Sequence, residues 1–244
     1  MNQESGEQGY VGEEASMNKR TVVVSPVGTD PENGTALINA LAAIVDASQT
    51  KKYLLYVEPG TYDLGSATLQ MKQHVDIEGA GELKTLITSS ATSFDFSKPT
   101  LLGADDAELR FLTVRNTGTE GPAGSTHVAI LNLAASPRLT HVTALATANQ
   151  SVNIGVLNAT ASPTMTDVSA TASGDATNIG VRNFSSSPII KQSTLSGSSN
   201  SLFHERGTAK VALTQLVGPV ATEEGGTLQC FSNYDDNLRA VTCP

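Results

Sequence analysis

Three stretches of this chain align without a gap: HVAILNLAASPRLTHVTALA (127–146), NIGVLNATASPTMTDVSATA (153–172) and NIGVRNFSSSPIIKQSTLSG (178–197). Asn132, Asn158 and Asn183 share one column, and Pro137, Pro163 and Pro188, each preceded by Ser, share another. A repeat of roughly 20–30 residues built from short β-rich pieces is the mark of a solenoid. Each unit cannot bury its own apolar face, so stacking on its neighbours makes the core. The frame extends to 107–114 and 209–216, with Ala107, Pro137, Pro163, Pro188 and Ala209 spaced 30, 26, 25 and 21 residues apart. Unequal spacing puts insertions into loops around a constant strand core, the longest being TGTEGPAGS at 117–125. Loops on one side of a solenoid are where binding concentrates.

The columns predict what faces inward. Leu139, Met165 and Ile190 are apolar in register, as are Ile130, Val156 and Val181, and Val128, Ile154 and Ile179. All three sets are expected in the core. The Asn column is expected at a bend, where Asn tolerates left-handed backbone angles, with each side-chain amide bonded to its counterpart one coil along.

Only 16% of residues are charged, Trp is absent, and Ala, Gly, Ser and Thr fill the repeats. That mix fits neither a helical bundle nor a disordered chain. With a net charge of −9 and only 15 Lys and Arg, the chain lacks the basic stripe of a nucleic-acid surface. An acidic polymer is repelled overall, although a local basic patch can still bind one. No window is apolar for the length of a membrane span. The start, MNQESGEQGYVGEEAS, is acidic rather than a basic and then apolar leader, so a secreted chain of this kind is expected to begin after a removed leader or on a truncated or non-native segment.

Residues 1–19 read as a disordered acidic segment, 20–228 as one β-helix domain with its clearest repeats at 107–217, and 229–244 as a tail. Leu37, Ile38, Leu41, Ile44 and Val45 recur at helical spacing, so about 35–47 reads as an amphipathic helix with Asn33 or Thr35 at its start. Short strands follow it, with turns every few residues. In the tail, Cys230 and Cys243 are expected to form a disulfide, against the alternative of two free thiols. It would add roughly 2–3 kcal/mol in the chain-entropy account and place the chain outside the cytosol, in an extracellular, cell-surface or periplasmic setting.

The order of a strand, a capping helix, YLLYVEPGTYDLG and VDIEGAGELKTLI, followed by the repeats, resembles the pectin-lyase-like superfamily. Its opening is similar to that of pectinesterases, and the Cys-flanked end is similar to that of small secreted bacterial β-helix proteins. The resemblance implies an all-β fold: a single-stranded right-handed parallel β-helix with one N-terminal capping helix. It does not imply one activity, because this fold hosts many. Pectinesterase chemistry uses two carboxylates, an Arg and two Gln on neighbouring coils, carried by Gln-Asp and Asp-Phe pairs. Here the one Asp-Phe is Asp95-Phe96, there is no Gln-Asp, and the central coils read VAILN, IGVLN and IGVRN.

A lyase would need a Ca²⁺ cage of carboxylates and a base. Asp105, Asp106, Glu108 and Arg110 are the candidate cluster, set against a solvated turn entering a strand. His141 and Asp167 fall in one column on successive coils, beside His127, and His204-Glu205-Arg206 forms a dense polar triplet. The expectation is therefore a non-catalytic secreted or surface protein with a structural or carbohydrate-binding role, needing no cofactor. The alternatives are a polysaccharide-active enzyme of pectate-lyase type, which alone would call for Ca²⁺, and a trimeric fibre-type adhesin. Thr117, Glu120 and Ser125 mark the candidate binding loop. Neither nucleic acid nor membrane is an expected partner. The chain is expected to be a monomer or a side-by-side homo-oligomer.

Overall fold

The computed structural model describes residues 20–118, 124–149 and 151–244. The chain is the single-stranded right-handed parallel β-helix that the resemblance implies, a solenoid as the repeats predict, with its strands stacked along three walls. It opens with β1 (Arg20–Val24) and α1 (Asp30–Ala43). The next two coils are β2 (Tyr53–Val57), β3 (Gly60–Asp63) and β4 (Leu69–Gln70), then β5 (Val75–Gly79), β6 (Thr85–Ser89) and β7 (Leu101–Leu102). The repeats follow as β8 (Glu108–Asn116) with β9 (Thr126–Leu133), β10 (Arg138–Thr147) with β11 (Val152–Ala159), and β12 (Thr164–Ser173) with β13 (Thr177–Phe184). The last coils are β14 (Ile189–Lys191), β15 (Thr194–Gly197) and β16 (Asn200–Glu205), then β17 (Thr208–Ala212), β18 (Gln215–Val217) and β19 (Val220–Glu223), and finally β20 (Thr227–Phe231).

Every strand pair here is parallel, and the register confirms the sequence alignment. Arg138 pairs with both Glu108 and Thr164, and Ile189 pairs with Lys210. In the repeats, β8, β10 and β12 run unbroken from the first wall into the second. They turn the corner at Phe111, His141 and Asp167, which have φ of 55°, 51° and 53°.

Leu109, Leu139, Met165, Ile190 and Val211 stack down the first wall, and Ile130, Val156, Val181 and Leu202 down the third, all inside one core. The third expected stack differs. Val128, Ile154 and Ile179 are buried, but they join Leu131 and Leu157 in a separate cluster. Because strand neighbours alternate sides, Leu131 points away from the core that holds Ile130. The side therefore switches between Val128 and Ile130. The switch falls at the column of Ala129, Gly155 and Gly180. A Cβ at Gly155 would lie 2.7 Å from the Gly180 carbonyl oxygen, so the bend brings adjacent coils too close for a side chain there.

The helix begins five residues before the expected start. Thr29 and Glu32 form a capping box, and Pro31 sits in the first turn, where its missing N–H costs nothing. Gly34 is there because Asp63 packs directly on it. Asn33 is not the cap. It is buried in the helix, where its Oδ1 accepts from Val27 N and Gly28 N while its Nδ2 donates to the Thr61 carbonyl. Leu37, Leu41 and Ile44 face the core, closing the open end of the coil.

At the other end β20 pairs in register with β17, and Tyr234 bridges to Gln215. Cys230 therefore belongs to the last coil rather than to a tail starting at 229. The Cys230–Cys243 disulfide is formed.

Candidate functional site

The acidic cluster does not converge. Asp105 accepts from Ser136 N (2.7 Å), and Asp106, itself left-handed, accepts from Gln73 Nε2 (2.8 Å). Glu108 and Arg110 belong to a different group on the outward side of the first wall. Arg110 donates through Nε and Nη2 to Glu78 (2.9 and 2.6 Å) and through Nη1 to Glu108 (2.7 Å), with Asp76 3.7 Å away. Glu108 also receives Arg138 at 3.2 Å and the Thr140 hydroxyl at 2.8 Å. Burial alone would raise the Glu108 pKa. Thr140 and Arg138, with the charges of Arg138 and Arg110, more than offset this and hold the carboxyl below the usual glutamate range. A carboxylate held ionised and saturated by guanidinium groups is a poor proton donor. Among the described residues, no three His, Cys, Asp or Glu are grouped to hold a metal ion.

Of the candidate binding loop, Glu120 lies outside the described residues. Thr117 is tied to the Ser89 carbonyl through both N and Oγ1. Ser125 is buried, its hydroxyl 3.2 Å from both His127 Nε2 and Ser151 Oγ. The flanks of the insertion are thus spent on internal bonds.

His141 and Asp167 are brought together, on the outside. Their register column, Phe111–His141–Asp167–Gln192–Leu213, is the left-handed corner between the first and second walls, each member with φ near 50°. Left-handed backbone costs about 1–2 kcal/mol per non-Gly residue. The side chains offset this by stacking along the axis. Phe111 and His141 lie nearly parallel, with ring centroids 5.1 Å apart, and His141 Nε2 stands 3.8 Å from Asp167 Oδ2.

Two outward columns of the first wall border this corner. One runs Glu78, Arg110, Thr140, Thr166, Lys191, Ala212, Phe231, and the other Glu108, Arg138, Thr164, Ile189, Lys210, Gln229. Their character changes along the axis. The first coils carry carboxylates and arginines that satisfy one another, and the middle coils carry threonines. The last coils carry Lys191 and Lys210 beside the exposed Ile189 and Phe231. Neither lysine ammonium has an ion pair or hydrogen bond among the described residues. These two lysines, Ile189 and Phe231 border a shallow cavity of about 360 Å³. The sequence reading missed this strip because Lys191 and Lys210 fall in different columns, so no repeated motif marks them.

The structural columns are richer than predicted. Asn132 Nδ2 donates to Asn158 Oδ1 and Asn158 Nδ2 to Asn183 Oδ1, both at 2.8 Å and fully buried. The left-handed residues are not these Asn but those two positions later, Ala134, Thr160 and Ser185. A second ladder links Asn153 Nδ2 to Asn178 Oδ1 at 2.9 Å, with His127 in the same column. The serines before the prolines form a third: Ser162 N, Ser187 N and Thr208 N each donate to the serine hydroxyl of the preceding coil. Asp105 starts that ladder, which accounts for its place. Pro137, Pro163 and Pro188 follow these serines, and each carbonyl accepts from the next coil. Within the polar triplet, His204 Nε2 lies 3.0 Å from the Gly207 carbonyl, Glu205 pairs with Arg182, and Arg206 pairs with Glu224.

No protein-family model matches this chain, and no curated protein matches it by sequence. Solved structures do match its fold. The pectin methylesterase PemA from Erwinia chrysanthemi is 12% identical, with 92% of each chain covered and a TM-score of 0.58. The carrot pectin methylesterase is 12% identical over 92% of this chain and 85% of that one, with a TM-score of 0.55. The Aspergillus niger pectin methylesterase is 14% identical over 94% and 89%, also with a TM-score of 0.55. At this identity the likeness is one of fold.

Proposed function

We propose that this protein is a non-catalytic β-helix that binds an acidic polysaccharide along the outward strip of its first wall. The observation that carries this reading is the pair Lys191 and Lys210. Among the described residues these cations lack a carboxylate partner, on a chain of net charge −9, and they stand beside exposed Phe231 in columns that border the one holding the Phe111–His141 stack. Thr140, Thr164 and Thr166 lead from one end of the strip to the other as hydroxyl partners. Coils repeat about every 4.8 Å, close to the length of one sugar residue, so a linear glycan along the axis meets a new set of side chains at each residue. Rings of apolar C–H stack on Phe231 and Phe111, and carboxylate or sulfate groups pair with the lysines. The pectin methylesterases of the same fold act on a carbohydrate polymer, which supports the polymer class. The disulfide fits an extracellular, cell-surface or periplasmic location.

The test is affinity electrophoresis in gels carrying a polyuronate, a sulfated glucan or a neutral glucan. The acidic gels are expected to retard the protein at low salt and the neutral gel not to. The double variant K191A/K210A is expected to run as in a blank gel. Equal mobility in all gels overturns the binding claim. Release of methanol, or Ca²⁺-dependent release of unsaturated sugars, overturns the non-catalytic claim.

A further inference from the structure

The segment between β6 and β7 crosses the outer side of the third wall and is fixed at several points. Ser93 and Thr126 exchange backbone hydrogen bonds of 3.3 and 2.7 Å, and the Thr126 hydroxyl also donates to the Ser93 carbonyl. Phe96, left-handed at φ 64°, packs against the Val128–Leu131–Ile154 cluster. The Arg182 guanidinium lies 5.5 Å from the ring centroids of both Phe96 and Phe203 and pairs with Glu205 at 3.0 and 3.2 Å. Two residues earlier, Phe94 has no such seat and is 68% exposed. It borders a cavity of about 450 Å³ with Thr92, Ser93, Asp95, Lys98 and Ser125. Ser97 N donates to Asp95 Oδ1, and the hydrogen bonds from Ser97 hold that carboxyl below the usual range, hence ionised. Lys98 has no ion-pair partner among the described residues, and the Thr92 hydroxyl oxygen is buried with no hydrogen-bond partner.

We propose that this cavity is a second sugar-binding subsite, which takes a single neutral hexopyranose residue as a chain end or branch. The exposed Phe94 ring offers a platform for the apolar C–H face of a pyranose, which a charged or acyclic ligand does not require. Around it stand one acceptor-only group, Asp95, one donor-only group, Lys98, and a hydroxyl, Ser93. That is the mixture that satisfies a polyol, whose every hydroxyl both donates and accepts. One positive and one negative charge leave the cavity without a net preference for charged sugars. The anchors at Ser93 and Phe96 order the segment before binding, so little entropy is lost on capture. The site is separate from the lysine strip. It extends the glycan-binding reading to another surface, and the two fail independently.

The experiment is saturation-transfer NMR on the full chain, using the methyl glycosides of glucose, galactose and mannose as probes. At least one is expected to receive transfer at its ring C–H protons. The signal is expected to vanish in F94A, to fall at least fivefold in D95N, and to be unchanged in K191A/K210A. Phe94 is exposed, so F94A should keep the wild-type thermal midpoint, which verifies its fold. Transfer that persists in F94A, or absence of transfer from all three probes, overturns the proposal. Hexoside binding without retention by acidic polymers overturns the strip and leaves this site standing.

Discussion

Asn132 donates from Nδ2 to Asn158 Oδ1 at 2.8 Å, and the next amide repeats the bond to Asn183. The ladder has a direction: each amide donates toward the C-terminus, leaving Asn132 Oδ1 at one end and Asn183 Nδ2 at the other without a partner among the described residues. Asn158 is the member bonded on both sides, so Asn158→Ala orphans one buried acceptor and one buried donor. Each orphan costs about 1–3 kcal/mol, so a loss of about 2–6 kcal/mol is expected in urea unfolding. Asn132→Ala removes one bond and should cost about half as much.

His127 begins the second ladder column but cannot complete it. Among the described residues, Asn153 Oδ1 faces that end unpartnered. Burial lowers the His127 pKa, so the fold prefers the neutral ring. Its contribution is full above the ordinary histidine value of about 6.5 and is lost as pH falls through the depressed one. His127→Asn should supply a donor to Asn153 and remove this titration. The variant is expected to be at least as stable as wild type at pH 7 and to lose less stability between pH 7 and 5, measured by thermal melts across that range.

Glu108 is held ionised among Arg110, Arg138 and Thr140. Its folded pKa lies below the unfolded one, so its stabilisation is complete above about pH 4.5 and disappears as pH falls below that value. Glu108→Gln should cost about 1–2 kcal/mol at pH 7 and flatten the acid limb of the stability curve. Retention of the full acid dependence would assign it to other carboxylates.

The Cys230–Cys243 bridge ties the end of the chain to the last coil, where Asn233 plugs the core by accepting from Thr214 N and donating to the Val211 carbonyl. Reduction, or the variant C230S/C243S, should lose about 3 kcal/mol. Because coils contact only their neighbours, the loss of amide protection in hydrogen exchange is expected from β17 onward and not in β8–β13.

The architecture was legible in the sequence because a solenoid writes its register into the chain. The Asn and Ser-Pro columns follow from their constant offset within each unit, and the disulfide from the two cysteines of the last segment. The inward sense of Val128, Ile154 and Ile179 was not legible, since a backbone bend at Ala129, Gly155 and Gly180 switches sides without breaking the apolar pattern. The capping box Thr29–Glu32 was readable as a Thr followed three residues later by Glu, but the helix start was read from the apolar spacing instead. The second ladder had a signal, the shared Asn of VNIGV and TNIGV, that went unused. The lysine strip had only a weak one. The aligned frame set Pro188 against Ala209 and so brought Lys191 and Lys210 to adjacent coils, but they fall in different columns and no shared motif marks them as one site.

The central claim is that Lys191 and Lys210 hold acidic groups of a glycan. Titration calorimetry with a polyuronate oligosaccharide at several salt concentrations tests it most directly. Exposed charge pairs are screened over about 8–10 Å at 0.1–0.15 M salt. Wild-type affinity is therefore predicted to fall steeply with salt, and K191A/K210A to lose at least tenfold in affinity at low salt along with most of that salt dependence. Equal affinity and equal salt dependence in the two proteins would contradict the account.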